Sequence, residues 1–154
     1  GAYPAGSYVR NPPNSKHQPS SEQGCVILVK LWQFDPADSR QFSLNILDMP
    51  YTPNAEQPGV EYCSLFNSDY EQVQAVKIAS NQSYCLSTPK GAELFMLQGE
   101  FVAQGHGLAQ HSWLRVPAGD SIKGIAGPQG AFFWLKFGHL DQVAQQLERL
   151  GVSS

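Results

Sequence analysis

The sequence predicts an all-β protein, and three observations carry that prediction. Short apolar runs rich in β-branched and aromatic side chains recur along the chain, at residues 25–34 and 131–137 above all. Fourteen Gly and eleven Pro among 154 residues supply tight turns between many short strands. An internal repeat joins the two ends of the chain. Tyr8-Val-Arg-Asn-Pro12 matches Trp113-Leu-Arg-Val-Pro117 at an offset of 105 residues (8 to 113), and Gly24-Cys-Val-Ile-Leu-Val-Lys30 matches Gly130-Ala-Phe-Phe-Trp-Leu-Lys136 at 106 (24 to 130).

Taken in order, residues 25–34 and 131–137 are nearly continuous in apolar side chains, which predicts strands buried on both faces. Residues 41–47 and 72–78 alternate more and predict half-buried strands. Residues 49–59 hold three prolines and a terminal glycine, so they read as a connection and not as a helix. Residues 94–99 form a further strand that ends in Gly. One helix is predicted at the C-terminal end, where Leu140, Val143, Leu147 and Leu150 fall at helical spacing between Asp141 and Gly151. Its apolar stripe is expected to pack as a lid.

Composition excludes several functional classes. A formal net charge of −3 with no basic cluster argues against nucleic acid, whose phosphates require patches of Lys and Arg. The longest apolar run, residues 25–32, is broken by Lys30 and is too short for a membrane-spanning helix. Three cysteines, Cys25, Cys63 and Cys85, are an odd number at irregular spacing, which favours reduced thiols and a cytoplasmic location.

The run from Gly6 to His17 resembles the second cupin motif, with Gly6, Pro12 and His17 in place and Asn14 at a turn position usually held by Gly. Asn tolerates positive φ better than other non-Gly residues, so the departure is mild. Residues 1–34 as a whole resemble the cupin domain of ChrR-type anti-sigma factors. The resemblance implies a tandem cupin with a C-terminal helix, in which residues 1–35 are the C-terminal half of a first lobe. Residues 36–60 would be the Pro-rich connection and first strands, and residues 61–154 the second lobe. An isolated half barrel would leave open sheet edges and must pair with something.

The same resemblance implies a metal site with His17 as a ligand, holding a divalent ion, zinc ahead of iron, once the first lobe is completed. In the second lobe the four ligand positions fall on Leu86, Thr88, Ala92 and Ile122, none of them a plausible ligand set. That lobe is expected to keep its barrel without a site. Glu93, one residue beyond Ala92, is expected to face away from the barrel interior and into solvent. His106 and His111 read as surface loop, His139 as a residue hydrogen-bonding at the helix start, and Cys25 as an inert core thiol. Arg10 and Arg115, like Lys30 and Lys136, hold equivalent repeat positions and are expected to form strand-end ion pairs.

By resemblance the chain belongs with regulatory modules that respond to oxidative stress and restrain an extracytoplasmic-function sigma factor. The His-x-x-x-Cys-x-x-Cys signature of the sigma-binding zinc domain does not occur in it. A metal-dependent cupin dioxygenase is the alternative, and a plain assembly module that forms a homodimer is a third.

Overall fold

The computed structural model describes residues 2–13, 15, 18, 20–31 and 34–151. Ten strands run in chain order: β1 (Ser7–Arg10), β2 (Phe42–Asn45), β3 (Thr52–Pro53), β4 (Val60–Asn67), β5 (Gln72–Ile78), β6 (Ser83–Thr88), β7 (Ala92–Ala103), β8 (His106–Leu108), β9 (Trp113–Val116) and β10 (Asp120–Phe137). A 3-10 turn at Leu140–Gln142 leads into α1 (Val143–Arg149). β1 and β2 pair with each other, and the other eight strands form one antiparallel sheet in the order β3-β4-β5-β10-β7-β8, with β6 on β10 and β9 on β7.

β10 organises the sheet. Its first part, through Ala126, pairs with β6 and with the end of β7, and its second part, from Ala131, pairs with β5 and the start of β7. The register shift between Ala126 and Ala131 separates the two parts, and such an irregularity bends a strand enough to roll its sheet.

Alternation along the strands fills two cores. Phe133 and Leu135 of β10, Val76 and Ile78 of β5, and Leu94 and Met96 of β7 point into the barrel with Phe101 and Ile122. Phe132 and Trp134, with Val73 and Ala75, point to the opposite face and pack with Ile46, Leu65 and Phe66. Tyr8, Phe42 and Leu44 of the small β1–β2 sheet cover that second cluster, together with Phe95 and Leu97 of β7. Burial of β10 on both faces follows, which is why its second part reads as nearly continuous apolar sequence.

The repeat extends to the backbone. Gly6 and its counterpart His111 both have positive φ, 84° and 68°, and so do Gly24 and Gly130, at 80° and 77°. β1 and β9 occupy matching places in the repeat.

Several expectations hold and others are corrected. Residues 72–78 form the strand predicted for them, residues 94–99 lie within β7, and residues 49–59 contain only the two-residue β3 and no helix. Residues 41–47 shorten to β2. The strand expected over residues 25–34 is absent from the described part, residues 24–31, because no described strand lies beside it to complete a ladder. Cys25 is correspondingly exposed and not a core thiol. The C-terminal helix is present but short, and none of its residues is fully buried. It is tethered at its start, where Leu140 N–H donates to the Lys90 carbonyl at 2.9 Å and Lys90 pairs with Asp141 at 3.3 Å. No helix among the described residues is long and apolar enough to cross a membrane.

Candidate functional site

One end of the sheet, where β5 and β7 begin and β10 ends, gathers most of the buried charge among the described residues. Arg10, at the end of β1, donates through Nη1 to Glu71 at 2.6 Å and through Nη2 to Asp38 at 2.9 Å. Its guanidinium lies 4.5 and 3.5 Å from the ring centroids of Phe34 and Phe66. Lys136 of β10 reaches the second oxygen of Glu71 at 2.5 Å. Asp38 also accepts from Arg40 through both oxygens at 2.9 Å and from the Tyr70 hydroxyl at 2.5 Å. The side chains of Asp38 and Glu71 are each 2% exposed, so their charge is tolerated only because both oxygens are occupied.

Beside this cluster Glu93, at the start of β7, accepts from Lys30 at 2.5 Å and lies 3.1 Å from His139 Nε2. Glu93 does face away from the barrel interior, but it is buried and not solvated. The N-terminal segment brings Lys30 over it, and His139 closes from the other side. His139 sits at the start of the 3-10 turn without capping it, so its hydrogen bond goes to Glu93.

Protonation states follow from burial set against partners. Burial opposes charge on Glu93, yet the hydrogen bonds from His139 and Lys30 outweigh it and bring its pKa down to about 2. Burial lowers the pKa of His139 below 6.5 despite the carboxylate beside it, leaving the ring neutral at pH 7. Nε2–H then donates to Glu93, and Nδ1, which has no partner among the described residues, is a bare acceptor. Asp38 is held well below the usual carboxylate range by the Arg40 hydrogen bond, against a burial penalty and with help from Tyr70. Tyr70 is pushed up to about 12 by burial and by its bond to Asp38. These carboxylates are fully ionised and already bonded, so they are poor general bases. The arrangement is a junction that fastens the N-terminal segment to the barrel.

Among the described residues the four positions expected to hold ligands in the second lobe carry no metal-ligand set. Leu86 and Ile122 are cross-strand partners facing the core, Ala92 is fully buried, and Thr88 donates to the Asp120 carbonyl at 2.8 Å. These residues do not fit a metal ion. The same core holds Tyr84, Phe101 and Phe133, whose ring centroids are 5.6 to 6.3 Å apart. Among the described residues no group of three His, Cys, Asp or Glu side chains is placed to hold a metal. His17 lies outside the described residues. His106 and His111 are exposed as expected, His106 in β8 and His111 stacked on Phe95 at 5.9 Å.

The ion-pair expectation for the repeat positions holds for Arg10, Lys30 and Lys136. Arg115 instead lies exposed opposite Glu93 in the β7–β9 register. Asp38 and Glu71 were not legible from motif or spacing. Their one sequence signal was indirect, since cations retained at repeat positions in apolar surroundings require acids to meet them.

Residues 1–35 match the family model described as the ChrR cupin-like domain. No curated protein matches the chain. Among solved structures, the chain is similar to an RmlC-like cupin from Shewanella frigidimarina NCIMB 400, with a TM-score of 0.52 and 14% identity over 59% of this chain and 84% of that one. It is also similar to a chain from the Rhodobacter sphaeroides complex of SigE with the anti-sigma ChrR, with a TM-score of 0.53 and 12% identity over 58% of this chain and 50% of that one. A third similar structure is a protein of Methylibium petroleiphilum PM1 provisionally assigned as an acetylacetone dioxygenase, with a TM-score of 0.58 and 12% identity over 66% of this chain and 79% of that one. At these identities the likeness establishes the fold, which is the cupin jelly roll.

Proposed function

We propose that this chain is a regulatory cupin module of the ChrR kind, in which the barrel is a scaffold and the N-terminal segment is the responsive part. The observation that carries this reading is the apolar lining of the barrel interior. Where a cupin enzyme needs ligands and room for a substrate, this barrel has Leu86, Ala92, Ile122 and a packed aromatic cluster. The match of residues 1–35 to the ChrR cupin-like model supports the regulatory assignment, and those are the residues that the buried junction fastens to the scaffold.

A two-state response needs an element whose contacts differ between the states. Arg10 and Lys30 supply such contacts, because withdrawing the N-terminal segment would leave Asp38, Glu71 and Glu93 without their cations from that segment. The reading includes a divalent metal held through His17 once the first lobe is completed, zinc ahead of iron, and a response to singlet oxygen or organic hydroperoxide. It also includes an extracytoplasmic-function sigma factor as partner. The unpaired cysteines suit the reducing cytoplasm.

The test combines metal content with oxygen consumption. With the first lobe completed, the protein should bind a stoichiometric divalent metal that is lost in His17→Ala and kept in Thr88→Ala. An organic hydroperoxide should change hydrogen-exchange protection in residues 1–35 while the barrel strands stay protected. Substrate-dependent oxygen uptake proportional to bound iron would replace the regulatory reading with a dioxygenase.

A further inference from the structure

Two nitrogen bases share one oxygen of Glu93. Lys30 Nζ lies 2.5 Å from Glu93 Oε2, and His139 Nε2 lies 3.1 Å from the same atom. Lys30 reaches it from the N-terminal segment and His139 from the turn that follows β10. The side chains of Glu93 and His139 are 2% and 4% exposed, whereas that of Lys30 is 22% exposed, so Lys30 is the member of the three nearest to water.

A neutral His139 suits this arrangement and a protonated one does not. As a neutral ring it donates through Nε2 and leaves Nδ1 a bare acceptor. Protonation turns Nδ1 into a second donor with nothing to receive it, in a site where burial already penalises charge. The charged groups facing the ring are Glu93 on β7, Lys136 on β10 and Lys30 on the N-terminal segment. Lys136 is the cross-strand partner of Glu93 and also reaches Glu71, which precedes β5. Arg115, opposite Glu93 on β9, is a further cation on that face, while Asp141 of the turn itself pairs with Lys90. An imidazolium would therefore be a third cation against one carboxylate.

Departure of Lys30 reverses each of these effects. It removes a like charge, opens that side of the site to water and leaves Glu93 Oε2 to the imidazole alone. A protonated His139 then returns to Glu93 the positive charge that Lys30 withdrew, so the carboxylate is paired in both states. Two arrangements that exchange one cation for another form the bistable element that a switch requires. Arg10 takes no part in the exchange, because it bonds Glu71 and Asp38, and no histidine among the described residues hydrogen-bonds to either.

We propose that His139 is a proton-operated latch: on protonation it replaces Lys30 at Glu93, and the N-terminal segment parts from the barrel at Lys30 while Arg10 holds. The latch rests on the regulatory reading in one respect, that residues 1–35 are the responsive part. Linkage fixes the direction. His139 titrates below 6.5 with Lys30 in place and higher once Lys30 has left, so the parted state binds the proton more tightly and gains as pH falls. One proton is taken up, so the ratio of parted to latched chains rises by at most about tenfold per pH unit. Protonation of Glu93 is a separate event in stronger acid, since its pKa is about 2.

The test uses the full chain with no metal or oxidant added. Spin labels at Leu31→Cys and at the native Cys85, with Cys25→Ser and with Cys63 buried, report the distance from segment to barrel by pulsed dipolar EPR. A second distance population should grow from about pH 7 to about pH 5, where a histidine titrates. His139→Gln, a donor that stays neutral, should keep the first population alone. With the native cysteines, NMR titration of the imidazoles should show His139 titrating higher in Lys30→Met than in the wild type, as reciprocity between the two cations requires. A single unchanged distance over the whole range overturns the proposal, and so does the same second population in His139→Gln. Should His139→Gln fail to fold, Lys30→Met decides, and a His139 titration unmoved by the loss of Lys30 overturns the latch. A hydroperoxide response in residues 1–35 with no response to pH overturns the latch and leaves the regulatory reading standing. Parting in acid, in a chain that takes up oxygen with substrate, supports the latch and removes that reading.

Discussion

A carboxylate buried between two cations is secure while all three remain, and costly once one is removed. Glu71 holds Arg10 on one oxygen and Lys136 on the other, and all three side chains are nearly inaccessible. Glu71→Gln should therefore cost about 3–5 kcal/mol, because cations buried against a carboxylate would face a neutral amide. Arg40→Ala should cost under about 1 kcal/mol, since its side chain is half exposed. Urea midpoints at unchanged slope measure both, and similar values for the two would refute a buried junction. At this scale the sequence was informative about cations and poor about acids. Arg10, Lys30 and Lys136 stood out because the repeat preserves them. Glu93 was placed on the correct face but assigned to solvent, because alternation states which side a residue faces and not whether another segment covers that side. Asp38 and Glu71 adjoin turns, where acids are ordinary, so nothing in their local sequence set them apart.

Elements owe their burial to their neighbours as much as to their own residues. β5 and the second part of β10 were legible because their apolar patterns match the two cores that flank them. The same pattern in residues 25–31 predicted a strand that the described structure does not contain, since periodicity carries no information about which partner is present. Gly130 and Gly24 separate local from packing effects within one repeat position. Both have positive φ, but a Cβ at Gly130 would sit 2.6 Å from the Ile78 carbonyl oxygen, whereas one at Gly24 would meet nothing within 4 Å. Gly130→Ala should cost about 2–3 kcal/mol or more, and Gly24→Ala about 1 kcal/mol or less. Thermal melts of the two variants test the ordering, and equal losses would show that backbone conformation alone sets the cost.

Across the whole molecule, the junction makes stability sensitive to acid. Glu93 ionises at about 2 in the folded chain against an ordinary 4.5, and Asp38 is also depressed. A depressed carboxylate stabilises the fold above its unfolded pKa, and that contribution is lost as pH falls toward the folded value. His139 acts in the same direction. Its folded pKa lies below 6.5, so from there downward the unfolded chain takes up the proton first. Unfolding free energy should fall by on the order of a few kcal/mol between pH 6.5 and pH 2, and Glu93→Gln should flatten the lower part of that curve. A wild-type profile level over this range would contradict the assigned protonation states. The jelly roll was legible at this scale because the repeat, the turn residues and the apolar runs agree. The metal expectation rests on His17, which lies outside the described residues. The central place of β10 also has a bearing on synthesis. It is the last strand of the barrel to emerge, and β5, β6 and β7 all pair with it, so the sheet cannot close before residue 137 is made. Residue 31 precedes it by 106 positions (31 to 137), a delay of about 5–20 s at ordinary translation rates. For the part of that interval in which it has left the exit tunnel, the apolar run at 25–31 has no completed barrel of residues 60–137 beside it.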